Sequence, residues 1–222
     1  MHVVIFGATG MVGAAALLEC LDDARVASVL AVVRRPTGMA HPKLTEIVRD
    51  DFFDYARLRA RFAECDACFF CLGVSSAGLT EAAYSRLTYD LTLAAAGAMA
   101  AANPQMTFCY VSGQGTDSTE HGRTMWARVK GRTENALLAL PFRRAFMLRP
   151  GLIQPLRGVR SRTPLYQAFY TVLGFLVPLL RRVAPDQVTT SVSVGRALIR
   201  LAADGYPRTI ITPADINRLA AA

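Results

Sequence analysis

A chain of 222 residues, 52% hydrophobic and 19% charged, is long enough to bury a core without cross-links and too apolar to stay unfolded. This excludes a disulfide-held miniprotein and a disordered segment. The formal net charge of +8 raises nucleic acid as a partner, so where the charge sits along the chain matters more than its size.

In chain order, the apolar run Val3-Val4-Ile5-Phe6 predicts a strand over 2–6, followed by a helix over 11–21, strands over 27–33 and 44–48, and a helix over 55–63. A strand over 67–72, a helix over 80–102, a strand over 106–112, a helix over 124–139 and a strand over 144–149 come next. Short apolar strands alternating with helices predict an α/β fold, a Rossmann-type doubly wound parallel sheet wrapped by helices. Beyond Pro150 the pattern loosens into an arginine-rich loop, an apolar helix over 164–181, a helix over 191–203, the run Thr209-Ile210-Ile211-Thr212 and a terminal helix from Ala214. With no internal repeat and no Gly/Ser linker, residues 1–222 read as a single domain, its core ending near residue 150 and its substrate side following from 151.

The N-terminus enters its first strand with neither a basic start nor a small-residue cleavage site, so a cytoplasmic location is expected. From Asn135 to Pro185 there are eight arginines and no acidic residue. Such a segment suits phosphate groups or forms a solvated basic face. No nucleic-acid recognition motif or interleaved aromatic platform accompanies it, so no specific nucleic-acid binding is expected. The apolar stretch Leu165 to Leu180 carries Gln167, Thr171, Gly174 and Pro178, short of a membrane span. Helix 164–181 therefore needs a core, a second copy of the chain, a greasy substrate or a membrane surface against it.

Cys65, Cys68 and Cys71 are spaced as C-x-x-C-x-x-C. Cys68 and Cys71 fall in an apolar strand, however, and residues three apart on a strand point to opposite faces, so no metal site is expected. Without export signals, the five cysteines read as reduced thiols.

The most informative segment is Gly7-Ala8-Thr9-Gly10-Met11-Val12-Gly13, between the first strand and the first helix. Gly7 permits a sharp turn, Gly10 lets a pyrophosphate approach the backbone, and Gly13 lets the helix pack against the sheet. Thr9, Met11 and Val12 complete a loop whose free amides stand at the positive end of a helix dipole. Strand two ends at Arg34-Arg35, where a carboxylate would otherwise meet the ribose hydroxyls; two guanidinium groups favour a 2′-phosphate, hence NADP(H) over NAD(H). Asp51-Phe52 is placed to meet an adenine edge and face, and Leu72-Gly73-Val74 ends the fourth strand at the same sheet edge.

These segments, with Tyr110-Val111-Ser112-Gly113, Val129-Lys130-Gly131 and Leu148-Arg149-Pro150-Gly151 in the same order, resemble the short-chain dehydrogenase/reductase superfamily. The likeness is specifically to its atypical branch of small NAD(P)-binding, epimerase-like proteins, the Tat-interacting-protein group, and covers essentially the whole chain. The resemblance implies that Ser112 bonds the reacting oxygen of a small substrate, that Lys130 bonds the nicotinamide ribose, and that the loop with Pro150 and Ile153 runs beside the nicotinamide. Lys130 is one of only two lysines, and its compact ammonium fits that role better than a guanidinium.

The chain departs from the family at the tyrosine four residues before the lysine, where Trp126 stands. An indole N–H is a donor only and cannot serve as general acid/base. Tyr89, Tyr110, Tyr166 and Tyr170 are the alternative donors. Two functions follow: an NADP(H)-dependent oxidoreductase or epimerase-like enzyme acting on a small apolar substrate, or an NADP(H)-sensing module whose catalysis was lost with the tyrosine.

Overall fold

The computed structural model describes residues 1–159 and 187–221. In chain order the elements are β1 (His2–Phe6), α1 (Met11–Asp22), β2 (Ser28–Val33), β3 (Leu44–Val48), α2 (Arg59–Ala63), β4 (Ala67–Phe70), α3 (Glu81–Ser85), α4 (Leu91–Ala102), β5 (Thr107–Val111) and α5 (Met125–Leu138). They continue with β6 (Arg144–Leu148), β7 (Leu152–Gln154), β8 (Val188–Thr190), α6 (Ser191–Asp204), β9 (Ile210–Ile211) and α7 (Pro213–Ala221). Seven parallel strands form one sheet in the order β3-β2-β1-β4-β5-β6-β9, while β7 and β8 pair separately. The chain reverses direction across the sheet beside β1. In such sheets the crevice beyond the strands' carboxyl ends at that reversal is where ligands bind.

Side-chain alternation sorts the strands onto two cores. Val3 and Ile5 face one side with Ala16, Leu17 and Cys20 of α1, Val194 and Leu198 of α6, and Ile216 of α7. Val4 and Phe6 face the other with Phe62 of α2, Leu91, Ala95 and Met99 of α4, and Leu137 of α5. On the second side Phe6 stacks on Phe70 at 5.1 Å and meets Tyr55 edge-on at 5.9 Å. Each such ring removed from water contributes on the order of 2–3 kcal/mol before entropy. Cys68 lies in the second core while Cys71 packs against the first, as period-two alternation requires.

Local chemistry explains the helix boundaries. Thr190 caps α6 by accepting the Ser193 amide at 2.9 Å. Thr212 and Asp215 bond each other's amides at 3.1 and 3.3 Å, a capping box with Pro213 at the first helical position of α7. Gly195 lets α6 cross α1 closely, because a Cβ there would lie 2.8 Å from Glu19 Cγ. Glu19 is buried at that crossing and paired with Arg157 at 2.8 Å and Arg196 at 3.1 Å.

Several expected elements differ. The helix over 55–63 is a 3-10 turn (Ala56–Leu58) leading into a short α2. The helix over 80–102 is interrupted by a π-helical turn at Arg86–Asp90, so α3 and α4 are separate. The strand over 67–72 ends at Phe70, and the run around Ile210 supplies the outer strand of the sheet. β7 and β8 were not expected; each is three residues long and gains its ladder only from a partner far away in sequence. The apolar helix over 164–181, with Tyr166 and Tyr170, lies outside the described residues. Among those described, no helix is long and apolar enough to cross a membrane.

Candidate functional site

The loop after β1 is built by three glycines with different jobs. Gly7 has φ +80°, and a Cβ there would lie 2.7 Å from the Cys71 carbonyl oxygen at the end of β4. A Cβ at Gly13 would run into the Gly7 carbonyl. Gly10 is different: its amide donates to the Gly7 carbonyl at 2.9 Å and its carbonyl accepts from Ala14 at 2.8 Å, yet a Cβ would meet only the Gly7 oxygen, at 3.4 Å. The chain's own packing demands Gly7 and Gly13, whereas the bare Cα of Gly10 leaves open space over the loop. Gly10 is also the N-cap of α1 and supplies no side-chain cap, so first-turn amides stay free for an acceptor at the positive end of the helix. Thr9, Met11 and Val12 are half-buried around this opening.

At the next strand ends, Arg34 and Arg35 are exposed immediately after β2, and among the described residues neither has an ion-pair partner. Asp51 is exposed beyond β3 and accepts the Phe53 amide at 2.7 Å. Phe52 does not present its ring to a ligand. It is 5% exposed and packs edge-on against Phe6 at 6.5 Å, which corrects the expectation of an adenine-stacking face. Sequence reading also missed Arg49, whose guanidinium donates to the carbonyls of Asp51 and Asp54 and lies 4.8 Å from the Tyr55 ring centroid. That clamp shapes the turn carrying Asp51. Leu72 is half-buried, while Gly73 and Val74 are exposed beyond β4.

Ser112 and Lys130 come together beyond β5, in an arrangement the sequence did not predict. The Ser112 hydroxyl donates to the Glu134 carboxylate at 2.5 Å, with the Leu148 carbonyl 3.0 Å away. Ser112 is 7% exposed and Glu134 fully buried, so this hydroxyl is held inward. Its expected role of bonding a substrate oxygen is corrected accordingly. The main-chain carbonyl of Ser112 instead accepts from the Lys130 ammonium. Burial pushes the Lys130 amine down to about 8, opposed by the charge of Glu134. Trp126, one helical turn before Lys130, lays its ring edge beside Gly115: a Cβ on that glycine would stand 3.4 Å from Cη2.

Of the four alternative donors, Tyr89 and Tyr110 lie among the described residues, and neither is a ready substitute for the phenol. Tyr110 is buried within β5 and pushed far up by desolvation, and Tyr89 lies beneath the Arg132 guanidinium at 4.2 Å. Beyond β6, the Pro150 carbonyl accepts the Gln114 amide at 2.9 Å, and the Gln114 and Gln187 side chains bond each other. A Cβ at Gly151 would approach Gln114 Oε1 to 2.6 Å. Ile153 is 8% exposed and belongs to the core, so only its main chain, paired with Thr189, remains near the loop.

A family profile described as NAD(P)H-binding matches residues 7–138, from the first loop glycine to the end of α5. The chain belongs to this NAD(P)H-binding family. Its parallel seven-stranded sheet is the Rossmann-type fold expected from the sequence. Relatives include the protein fmp52-2, mitochondrial, of Aspergillus terreus, 28% identical over 90% of this chain and 87% of its own. The fmp52-1 protein of the same fungus is 31% identical over 78% of this chain and 75% of its own. Both names say mitochondrial, which overturns the cytoplasmic placement expected from the N-terminus.

Solved structures of the same fold include a short-chain dehydrogenase/reductase family oxidoreductase from Burkholderia thailandensis, at a TM-score of 0.67 and 19% identity over 100% of this chain and 93% of that one. A short chain dehydrogenase family protein from Francisella tularensis matches at a TM-score of 0.67 and 13% identity, over 92% and 91% of the two chains.

Proposed function

We propose that this family member binds NADP(H) and acts as an oxidoreductase or epimerase-like enzyme on a small, apolar substrate. The observation that carries the reading is the cradle at Gly10, where a side chain is absent although the protein's own packing does not require its absence, directly over uncapped helix amides. Arg34 and Arg35, exposed at the end of β2 and without an ion-pair partner among the described residues, supply forked donors for a 2′-phosphate. Asp51 and the main chain of Leu72-Gly73-Val74 line the adenosine side, and Pro150 with Ile153 the nicotinamide side. The bound dihydronicotinamide would supply hydride.

The chain's own residues bind and orient. The Lys130 ammonium, anchored on the Ser112 carbonyl, keeps donors for ribose hydroxyls. Since the Trp126 indole cannot release a proton and the Ser112 hydroxyl is turned inward, Lys130 Nζ is, among the described residues at this edge, the group that can hold or release one near neutral pH.

A second reading, an NADP(H)-sensing module without turnover, is favoured by the same two facts about Trp126 and Ser112. A carbonyl and alcohol panel assayed with wild type and Lys130→Ala separates the two. Turnover that collapses in the variant removes the sensor reading; tight cofactor binding with no turnover on any member removes the enzyme.

A further inference from the structure

Glu134 lies four residues beyond Lys130, on the same face of α5. It is 0% exposed, and a carboxylate withdrawn so completely from water persists only with strong partners. Its partners come from two distant parts of the chain, Ser112 and Arg149. Oε1 accepts the Ser112 hydroxyl at 2.5 Å, Arg149 Nε donates to both oxygens at 3.1 Å, and Arg149 Nη2 donates to Oε2 at 2.5 Å. The same Nη2 reaches Ser118 in the loop before α5. Gly131 holds this helix against that loop, because a Cβ there would run into the Asp117 carbonyl.

One buried carboxylate therefore joins the ends of β5 and β6 to α5, and Ser112, the residue it grips just after β5, is the one whose carbonyl receives Lys130. We propose that Glu134 is a positioning residue: it fixes the Ser112 carbonyl, and with it the Lys130 ammonium, at the cofactor edge. This rests on the reading of Lys130 as a cofactor-binding group.

Among the described residues, the other charged and titratable groups around Lys130 are engaged elsewhere. Arg128 is paired with Glu81 at 2.6 Å and with the Gly122 carbonyl at 2.7 Å, and Arg132 covers Tyr89. Asp117 is bound to Thr119 and Gly122. Tyr110 of β5 is neutral and buried, and Arg149, just beyond β6, is bound to Glu134 and Ser118. Glu134 is left as the acidic group acting on Lys130.

The chain offers a clean test because it has only two lysines. With isotope-labelled lysine, the Lys130 signals are assigned by Lys43→Arg and titrated by NMR in the protein alone, and NADPH binding is measured by calorimetry. In Glu134→Gln the Lys130 midpoint is expected to fall by roughly one unit, and in both Glu134→Gln and Ser112→Ala NADPH binding is expected to weaken by roughly threefold or more. A folded Glu134→Gln with an unmoved midpoint and unchanged NADPH affinity overturns the proposal. If Glu134→Gln does not fold, unchanged affinity in Ser112→Ala overturns it. Failure of the underlying reading looks different: Lys130→Met would bind NADPH like wild type, whatever the Lys130 midpoint does in Glu134→Gln.

Discussion

The Cα of Gly13 packs against the main-chain carbonyl of Gly7 so closely that no side chain fits between them. This contact seats α1 on the end of β1 and holds the loop open above Gly10. The glycines therefore differ in what they protect. Gly13→Ala is expected to cost about 2–4 kcal/mol of stability, because backbone must shift. Gly10→Ala should fold with a nearly unchanged thermal midpoint and lose at least roughly tenfold in dinucleotide affinity. Thermal melts and calorimetry on the pair check this, and a Gly10→Ala protein that binds like wild type would remove the loop from the site.

Lys130 gives a signed pH dependence. Its amine titrates at about 8 in the folded chain and near 10.4 when unfolded, so between those values the unfolded state holds more protons. Stability from this group then rises with pH across that window, and below pH 8 the cost of burying the ammonium is fully present. Lys130→Met is expected to gain on the order of 1–3 kcal/mol at pH 7, with the gain shrinking towards pH 10. Urea unfolding of both proteins at several pH values reads the difference directly. Cofactor affinity should move the other way, weakening above pH 8 in wild type as the amine loses its charge.

Trp126 is the only tryptophan, which makes intrinsic fluorescence a probe of one place. NADPH is expected to quench it and to show sensitised emission, and Gly10→Ala should lose both signals at the same ligand concentration. Trp126→Tyr restores a phenol one turn before Lys130. If the proposed enzyme lacks a proton donor there, turnover on a carbonyl substrate should rise by roughly 10²-fold or more in this variant. No change would place proton transfer elsewhere.

Much of the fold was legible because the signals were local. Runs such as Val3 to Phe6 alternate between two cores, and glycines at strand-to-helix turns mark a loop whatever surrounds it. The errors arose where a side chain's direction depends on distant partners. Ser112 sits where a catalytic serine is expected, but Glu134 and Arg149, both later in the chain, turn its hydroxyl inward. Phe52 and Phe53 are indistinguishable in sequence; packing against Phe6 buries the first, while the second stays 42% exposed. Nothing local in the sequence sets Arg49 apart from the other arginines; its clamp on the Asp51 turn depends on the fold of that turn. A Glu four residues after the lysine was a usable signal for Glu134, since that spacing puts both on one helical face.

The most direct measurement is calorimetric titration of wild type, Arg34→Ala and Arg35→Ala with NADPH and NADH. The account predicts binding of both dinucleotides, tighter for NADPH, with that preference falling by roughly tenfold or more in the arginine variants while NADH affinity changes little. Absence of binding by either dinucleotide to the folded wild-type protein would contradict the proposed cofactor site and everything built on it.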